Sequence, residues 1–220
     1  MVILGLTGSI GMGKTAAARA LRRRGAAVFD ADAEVHRLIG PGGAAVAAVE
    51  AAFPGCVVEG RGGRRVDRDA LAERVFGDAD ATARLEAVLH PRVREAEDRF
   101  LRRAAAAGRQ LVVLDVPLMF ETGGDRRCDA VAVVTAPAFV QAHRALRRPG
   151  MTPERLAAIR AHQMPDHEKR RRADFIILSG LDRWVSLRAV WHIVTMLAGR
   201  RGRKWPPRPQ PRIYPRRNTR

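Results

Sequence analysis

An eight-residue segment near the N-terminus constrains the fold more than any other feature of the chain. Residues 8–15 read GSIGMGKT, with an apolar run before them and a helical pattern after them, and match G-x-x-x-x-G-K-[ST]. Glycines let backbone N–H groups turn inward around phosphates, and the following helix points its positive end at the same anion. Lys14 can reach the β and γ phosphates, and the Thr15 hydroxyl can bind Mg²⁺. This segment, called the P-loop below, predicts a nucleoside triphosphate site.

Five short apolar runs, several of them rich in β-branched residues, predict strands that are buried on both faces. They lie at residues 2–6, 26–29, 111–114, 130–134 and 175–178. Helical spacing occurs at residues 15–24, 44–53, 69–76, 81–107, 137–148, 153–162 and 183–197. Pro91 predicts a break near His90 and a fresh helix start at Pro91. Strands that alternate with helices predict an α/β fold with a parallel sheet.

Two segments depart from this alternation. Residues 41–109 separate the second and third apolar runs and read as mostly helical, which predicts an insertion that caps one edge of the sheet. Within it, the GRGGRR stretch at residues 60–65 predicts a mobile turn. Residues 200–220 are rich in Arg and Pro and cannot build a core, so they predict a disordered tail.

The net charge of +17 suggests a polyanionic partner, but its distribution leaves two interpretations open. The tail carries eight Arg, one Lys and no acid, which leaves +8 for the rest of the chain. Because 37 of the 40 basic residues are Arg, a general Arg bias explains that excess as well as a role in holding phosphates does. Weak nucleic-acid binding by the tail is the alternative function of a different class, although the body carries no RNA-recognition motif.

The chain is expected to be cytoplasmic. It has no run of about 18 apolar residues, and its N-terminus lacks the basic region and cleavage site of a secretion signal, so no membrane partner is predicted. Its two cysteines, Cys56 and Cys128, form neither a disulfide framework nor a zinc box, which suits a reducing compartment.

Three acidic residues follow predicted strands, where the carboxyl ends of a parallel sheet line a ligand crevice. Asp30 and Asp32 close the second run and would point to the same side of an extended chain. A carboxylate there can accept a hydroxyl proton or hold Mg²⁺, but an Asp at this point also caps helices well. Asp115 ends the third run, as in a Walker B strand, and can hold Mg²⁺ through water.

Arginines and histidines supply further candidates. Arg144, Arg147 and Arg148 share one face of a predicted helix, either to neutralise phosphate charge or as a solvated basic face. The six histidines show no metal-ligand spacing. His90 is either a local cap or a ligand contact, and spacing does not decide between them.

Taken together, these motifs resemble the dephospho-coenzyme A kinase family over about residues 2–198. The resemblance rests on an ordered set: GLTGSIGMGKT (5–15), FDAD followed by His36, LHP (89–91), VPLMFE (116–121), Gln141 with Arg144 and Arg148, Gln163, Lys169 and ADFII (173–177). It implies a P-loop kinase fold with a five-stranded parallel core (1–40 and 110–199), a helical coenzyme-A-binding insertion (about 41–109) and a lid (about 141–165).

The resemblance also implies the reaction and the roles of individual residues. ATP, with Mg²⁺, phosphorylates the ribose 3′-hydroxyl of dephospho-coenzyme A and yields coenzyme A and ADP. The implied catalytic residues are Asp32 as the base, Lys14 and Arg144. The implied ATP contacts are Gly11, Met12, Gly13, Lys14, Thr15, Ala16, Arg144 and Arg148. The implied acceptor contacts are Asp32, His90 and Glu121, and the implied Mg²⁺ contacts are Thr15 and Asp115.

The chain departs from the family pattern at three places. Ala16 follows Thr15 where Ser or Thr pairs are common, and the Met12 side chain must point away from the phosphates. LSG follows ADFII where many members have Asn, so a backbone contact near Ser179 and Gly180 is expected for the adenine. A kinase for another small hydroxyl acceptor stays open as an alternative, and a monomer or weak homo-oligomer is expected.

Overall fold

The computed structural model describes residues 1–180 and 182–206. Its strands are β1 (Val2–Thr7), β2 (Ala27–Asp30), β3 (Val57–Val58), β4 (Arg65–Val66), β5 (Leu111–Asp115), β6 (Ala130–Thr135) and β7 (Phe175–Leu178). Its α-helices are α1 (Lys14–Arg23), α2 (Ala31–Ile39), α3 (Val46–Ala52), α4 (Arg68–Val75), α5 (Ala79–Ala106), α6 (Ala138–Leu146), α7 (Pro153–Ala161), α8 (Asp166–Arg172) and α9 (Arg183–Leu197).

Five strands form one parallel sheet in the order β2-β5-β1-β6-β7, which confirms the predicted α/β fold. The five predicted apolar runs are these five strands, to within one residue at each end. From the central strand β1, the sheet continues to β5 and β2 in one direction and to β6 and β7 in the other. The strand order therefore reverses beside β1, and ligands of open α/β sheets bind in the crevice at such a point.

Helices cover both faces of the sheet because the central strands are buried on both sides. On one face, Leu21 of α1 and Ile193 of α9 pack against Leu4 and Val134. On the other face, Leu101 in the second half of α5 packs against the sheet. The first half of α5 packs in a separate core with α2, α3, α4 and β4. None of the helices in the described ranges is long and apolar enough to cross a bilayer.

The predicted helix break at Pro91 is wrong, because α5 continues through that residue. Proline removes one backbone donor and costs about 3 kcal/mol inside a helix. The Arg92 side chain supplies one hydrogen bond at this turn, from Nη1 to the Val88 carbonyl oxygen at 2.7 Å. Leu89 and Leu101 are buried on either side of the proline, in two different cores. Burial at both ends thus outweighs the local cost.

The predicted disorder of the tail does not hold for residues 200–206, whereas residues 207–220 lie outside the described residues. The Asp129 carboxylate accepts the backbone N–H groups of Arg203 and Lys204 at 2.5 and 3.0 Å. Its other oxygen accepts the N–H of Ile3 at 2.8 Å. Trp205 packs beside Met1 against the core on the α5 face of the sheet. The half-buried Asp129 carboxylate and the Trp205 side chain therefore fix the start of the tail.

Candidate active site

The P-loop connects β1 to α1 at the centre of the sheet, and its shape depends on glycine. Gly11 and Gly13 have positive φ angles of 76° and 86°, which side chains with a Cβ rarely adopt. Gly13 is the N-cap of α1, and no described side chain caps that helix start. The first turn of α1 therefore presents its positive end to the loop, where an anion would lie.

Lys14 forms an ion pair with Asp115 at the carboxyl end of β5. Its Nζ lies 2.6 Å from Oδ1 of Asp115, and that carboxylate is almost fully buried. Burial raises the pKa of Asp115, and the nearby Asp30 and Asp32 carboxylates raise it further, whereas Lys14 lowers it. Asp30 is also the partner of Asp115 in the register between β2 and β5. The structure thus brings the three predicted acids together beside the P-loop lysine.

Asp30 and Asp32 have different positions, which separates the two interpretations of the acidic turn. The expected extended arrangement is wrong because α2 begins at Ala31. Asp30 caps this helix by accepting the N–H of Ala33 at 3.0 Å, since its backbone is still extended there. Asp32 lies in the first turn of α2 and lines a cavity of about 290 Å³, called the Asp32 cavity below.

The Asp32 cavity lies between α2, α5 and the segment after β5. Three of the polar side chains that line it, His90, Arg94 and Glu97, follow at helical spacing on one face of α5. Glu97 is buried beside Arg127, with 3.1 Å between Oε1 and Nη2, and burial raises the pKa of Glu97 although Arg127 lowers it. Arg94, Glu97 and Arg127 were not predicted from the sequence as site residues. Their helical spacing from His90 could have indicated Arg94 and Glu97, whereas no sequence pattern indicated Arg127.

A larger cavity of about 650 Å³, called the Arg144 cavity below, is lined by the residues on either side of Lys14 in sequence, Gly13 and Thr15. Its lining also includes Ala16, Arg144, Ser179 and Gly180, among others. The Arg144 guanidinium donates to the Ser179 hydroxyl at 3.0 Å and to its carbonyl oxygen at 2.6 Å. These bonds hold Arg144 next to Gly13 and to the turn after β7, where the adenine contact was expected.

Two predicted contact residues, Arg148 and Glu121, do not line either of these cavities. Helix α6 ends at Leu146 rather than at Arg148, because Pro149 disfavours helical geometry in the residue before it. Arg147 caps the end of α6 and Arg148 falls beyond it, so the predicted shared helix face of the three arginines is wrong. Glu121 is not among the residues that line the Asp32 cavity, because its carboxylate binds buried Lys169 at 2.9 Å.

Magnesium is the metal that this arrangement fits. Among residues 1–180 and 182–206, no three His, Cys, Asp or Glu side chains cluster to hold a metal by themselves. However, Mg²⁺ in phosphate-transfer sites takes only one or two protein oxygens, and substrate phosphates and water supply the rest. The Thr15 hydroxyl, next to Lys14 in sequence, and the Asp115 carboxylate, paired with Lys14, are hard oxygen donors, which is the donor set such a site needs.

The parallel sheet, the glycine-shaped loop with its lysine and the two flanking cavities define a P-loop kinase. Known proteins identify the family. The sequence model of one family, dephospho-CoA kinase, matches residues 2–181. A dephospho-CoA kinase from Rhodospirillum rubrum is 56% identical over 195 residues, which cover 89% of this chain and 91% of that protein. One from Mesorhizobium japonicum is 54% identical over 202 residues, covering 92% and 100%.

Solved structures agree with this fold. A crystal structure from Thermus thermophilus superposes with a TM-score of 0.77 at 35% identity, covering 89% of this chain and 96% of that one. A Campylobacter jejuni dephospho-CoA kinase superposes with a TM-score of 0.58 at 20% identity, covering 89% and 96%. The chain belongs to the dephospho-CoA kinase family. It is therefore a kinase that transfers phosphate to a hydroxyl group, and ATP is the substrate that the family implies.

Proposed function

We propose that the chain transfers the γ-phosphoryl group of ATP to the ribose 3′-hydroxyl of dephospho-CoA, which gives CoA and ADP. One observation carries this proposal: Lys14 and Asp115 form an ion pair, and their neighbours in sequence line two different cavities. Gly13 and Thr15, the neighbours of Lys14, line the Arg144 cavity, and Val116, the neighbour of Asp115, lines the Asp32 cavity. A donor and an acceptor held in these cavities would meet at the lysine.

The P-loop and the Arg144 cavity would hold ATP. The backbone amides of residues 11–16 would surround the phosphates, and Lys14 would contact the β and γ groups. Arg144 would neutralise charge on the transferring group, with Arg148 as a further predicted contact. The adenosine would occupy the Arg144 cavity beside Ser179 and Gly180.

The Asp32 cavity would hold the acceptor. The Asp32 carboxylate would accept the proton of the attacking hydroxyl as its oxygen bonds to the γ phosphorus and the bond to the ADP oxygen breaks. His90 lines the same cavity and would contact the acceptor. A substrate contact for Glu121 stays a prediction.

Magnesium would be held by Thr15 and Asp115. When bound, it would supply positive charge that offsets the negative charge of the transferring phosphate. Lys14 would supply positive charge in the same place, because its Nζ lies beside the buried Asp115 carboxylate. Two further assignments belong to this proposal: residues 41–109 form the CoA-binding insertion, and residues 141–165 form a lid.

Replacement of Asp32 by Asn tests the assigned base. Turnover, measured by coupled ADP release with and without dephospho-CoA, is expected to fall about 10²- to 10⁴-fold, because no carboxylate remains to accept the proton. ATP binding is expected to persist. Asp30→Asn is the matched control, because Asn also caps helices and would keep the bond to Ala33.

Two outcomes would contradict the proposal at different levels. Near-normal turnover of Asp32→Asn removes the base assignment but leaves the reaction. Wild-type protein that releases no ADP on addition of dephospho-CoA, yet does so with another alcohol from an acceptor panel, removes the substrate assignment. Truncation after Pro206 separates catalysis from the alternative of RNA binding by the tail, which would weaken steeply with salt.

A further inference from the structure

Two glutamines from opposite ends of the predicted lid bind one residue of the P-loop. The N–H of Ile10 donates to Oε1 of Gln163, which follows α7, at 3.1 Å. The carbonyl oxygen of Ile10 accepts from Nε2 of Gln141, a buried residue of α6, at 3.0 Å. Both backbone polar groups of Ile10 are therefore satisfied by lid side chains rather than by the loop itself.

The chemistry of these contacts fixes which end of each amide faces the loop. Gln163 must present oxygen to an N–H, whereas Gln141 must present nitrogen to a carbonyl oxygen. Gln141 is further oriented by Arg160, whose Nη2 donates to its Oε1 at 2.6 Å. The contact with Ile10 therefore requires a hydrogen-bond acceptor at position 163 and a donor at position 141.

The residue after Gln163 makes a second connection. The N–H of Met164 donates to Oε1 of Glu121 at 2.8 Å, and Glu121 pairs with Lys169 at 2.9 Å. Lys169 is fully buried and also donates to the carbonyl oxygen of Pro117 at 3.3 Å. Pro117 lines the Asp32 cavity. Residues 163–164 therefore contact the P-loop directly and are linked to the wall of the Asp32 cavity through Glu121 and Lys169.

We propose that Gln141 and Gln163 are positioning residues that hold the P-loop in its phosphate-binding shape through Ile10. The inference rests on the proposed function, because it assigns the phosphates to the amides of residues 11–16. Ile10 lies just outside that range, so the two glutamines hold the loop without competing for those amides. The bond from Met164 to Glu121 links the same segment to the acceptor side.

Exchange of each glutamine for glutamate tests the opposite requirements. Gln163→Ala leaves the Ile10 N–H without its acceptor and is expected to weaken binding of AMP-PNP, a non-hydrolysable ATP analogue, about tenfold. Gln163→Glu keeps an acceptor oxygen but adds a negative charge near the phosphate site, so it is expected to bind AMP-PNP more weakly than wild type and more tightly than Gln141→Glu. Gln141→Glu places a carboxylate oxygen against the Ile10 carbonyl oxygen and is expected to weaken binding at least tenfold.

Calorimetric titration with AMP-PNP and Mg²⁺ gives the affinities, and thermal melting of each variant gives the stability. Gln110→Ala, at an exposed glutamine remote from the P-loop, is the control and is expected to bind like wild type. Wild-type affinity in Gln163→Ala overturns the proposal. So does equal weakening by Gln163→Glu and Gln141→Glu, because both add a negative charge and only Gln163→Glu keeps the group that Ile10 requires. Failure of wild-type turnover with normal AMP-PNP binding would instead overturn the proposed function.

Discussion

Gly11→Ala is expected to displace helix α6 from the P-loop. Gly11 has a φ of 76°, and a Cβ added there would lie 2.6 Å from the backbone oxygen of Gln141. Ordinary van der Waals contact begins at 3.4 Å, so α6 must retreat by about 0.8 Å. The bond from Gln141 to Ile10, now 3.0 Å, would then exceed hydrogen-bonding distance if α6 moved as a rigid body.

The energetic cost has two parts. An alanine in the left-handed region costs about 1–2 kcal/mol, and overpacking against a backbone oxygen costs about 1–3 kcal/mol more. Gly25→Ala isolates the first part, because Gly25 has a similar φ of 89° and a Cβ there would meet no atom within 4 Å. Both substitutions reduce the freedom of the unfolded chain equally. The difference between the two variants therefore reports the contact with α6.

Urea denaturation and AMP-PNP titration measure these effects. Gly11→Ala is expected to unfold with a free energy about 1–3 kcal/mol below that of Gly25→Ala and to bind the nucleotide about tenfold more weakly. Gly25→Ala is expected to keep wild-type nucleotide affinity, because Gly25 follows α1 at the surface. Equal stability of the two variants, with equal nucleotide affinity, would refute the reasoning that α6 packs directly against Gly11.

Three further predictions concern Asp115, Asp129 and Cys128. Burial raises the pKa of Asp115 above its usual 3.8, so the folded state holds this proton more tightly than the unfolded state does. The resulting contribution to stability is present below about pH 4 and is lost as the pH rises through the pKa of the folded protein. Urea titrations at successive pH values should therefore show the unfolding free energy of wild type, relative to Asp115→Asn, falling as the pH rises above about 4. Asp129→Ala leaves three backbone N–H groups without their acceptor and should lower the unfolding free energy by about 2–4 kcal/mol while kcat is unchanged, because these bonds lie far from the P-loop. Burial raises the pKa of Cys128 to about 12, so its alkylation by iodoacetamide at pH 8 should be slow in the folded protein and should accelerate in parallel with unfolding.

Local sequence signals were reliable where one interaction dominated. The P-loop glycines, the strand before them and Lys14 form a local unit, so their arrangement followed from the motif. The acidic turn was ambiguous because an Asp can cap a helix or face a ligand. The position of the first residue of α2 decided between these roles, giving the cap to Asp30 and the cavity to Asp32.

Predictions from local sequence were wrong where contacts with distant residues stabilised a structure that the local residues disfavour. Pro91 should end a helix, yet α5 passes through it because each of its halves is buried in a different core. The Arg-rich segment after Gly199 should not fold, yet Asp129 and the core beside Trp205 hold its first residues. In both cases the compensating free energy comes from residues far along the sequence, which no local pattern contains.

The sequence by itself determined the alternation of strands and helices, the phosphate-binding loop and the kinase family, because periodicity and closely spaced motifs are local properties. Only the tertiary structure decided which side chains meet. It paired Lys14 with Asp115, placed Glu97 and Arg127 in the lining of the same cavity as Asp32, and brought Gln163 to Ile10 across 153 positions of the chain. These contacts depend on strand order and helix packing, and burial in a shared core is what brings such distant residues to hydrogen-bonding distance.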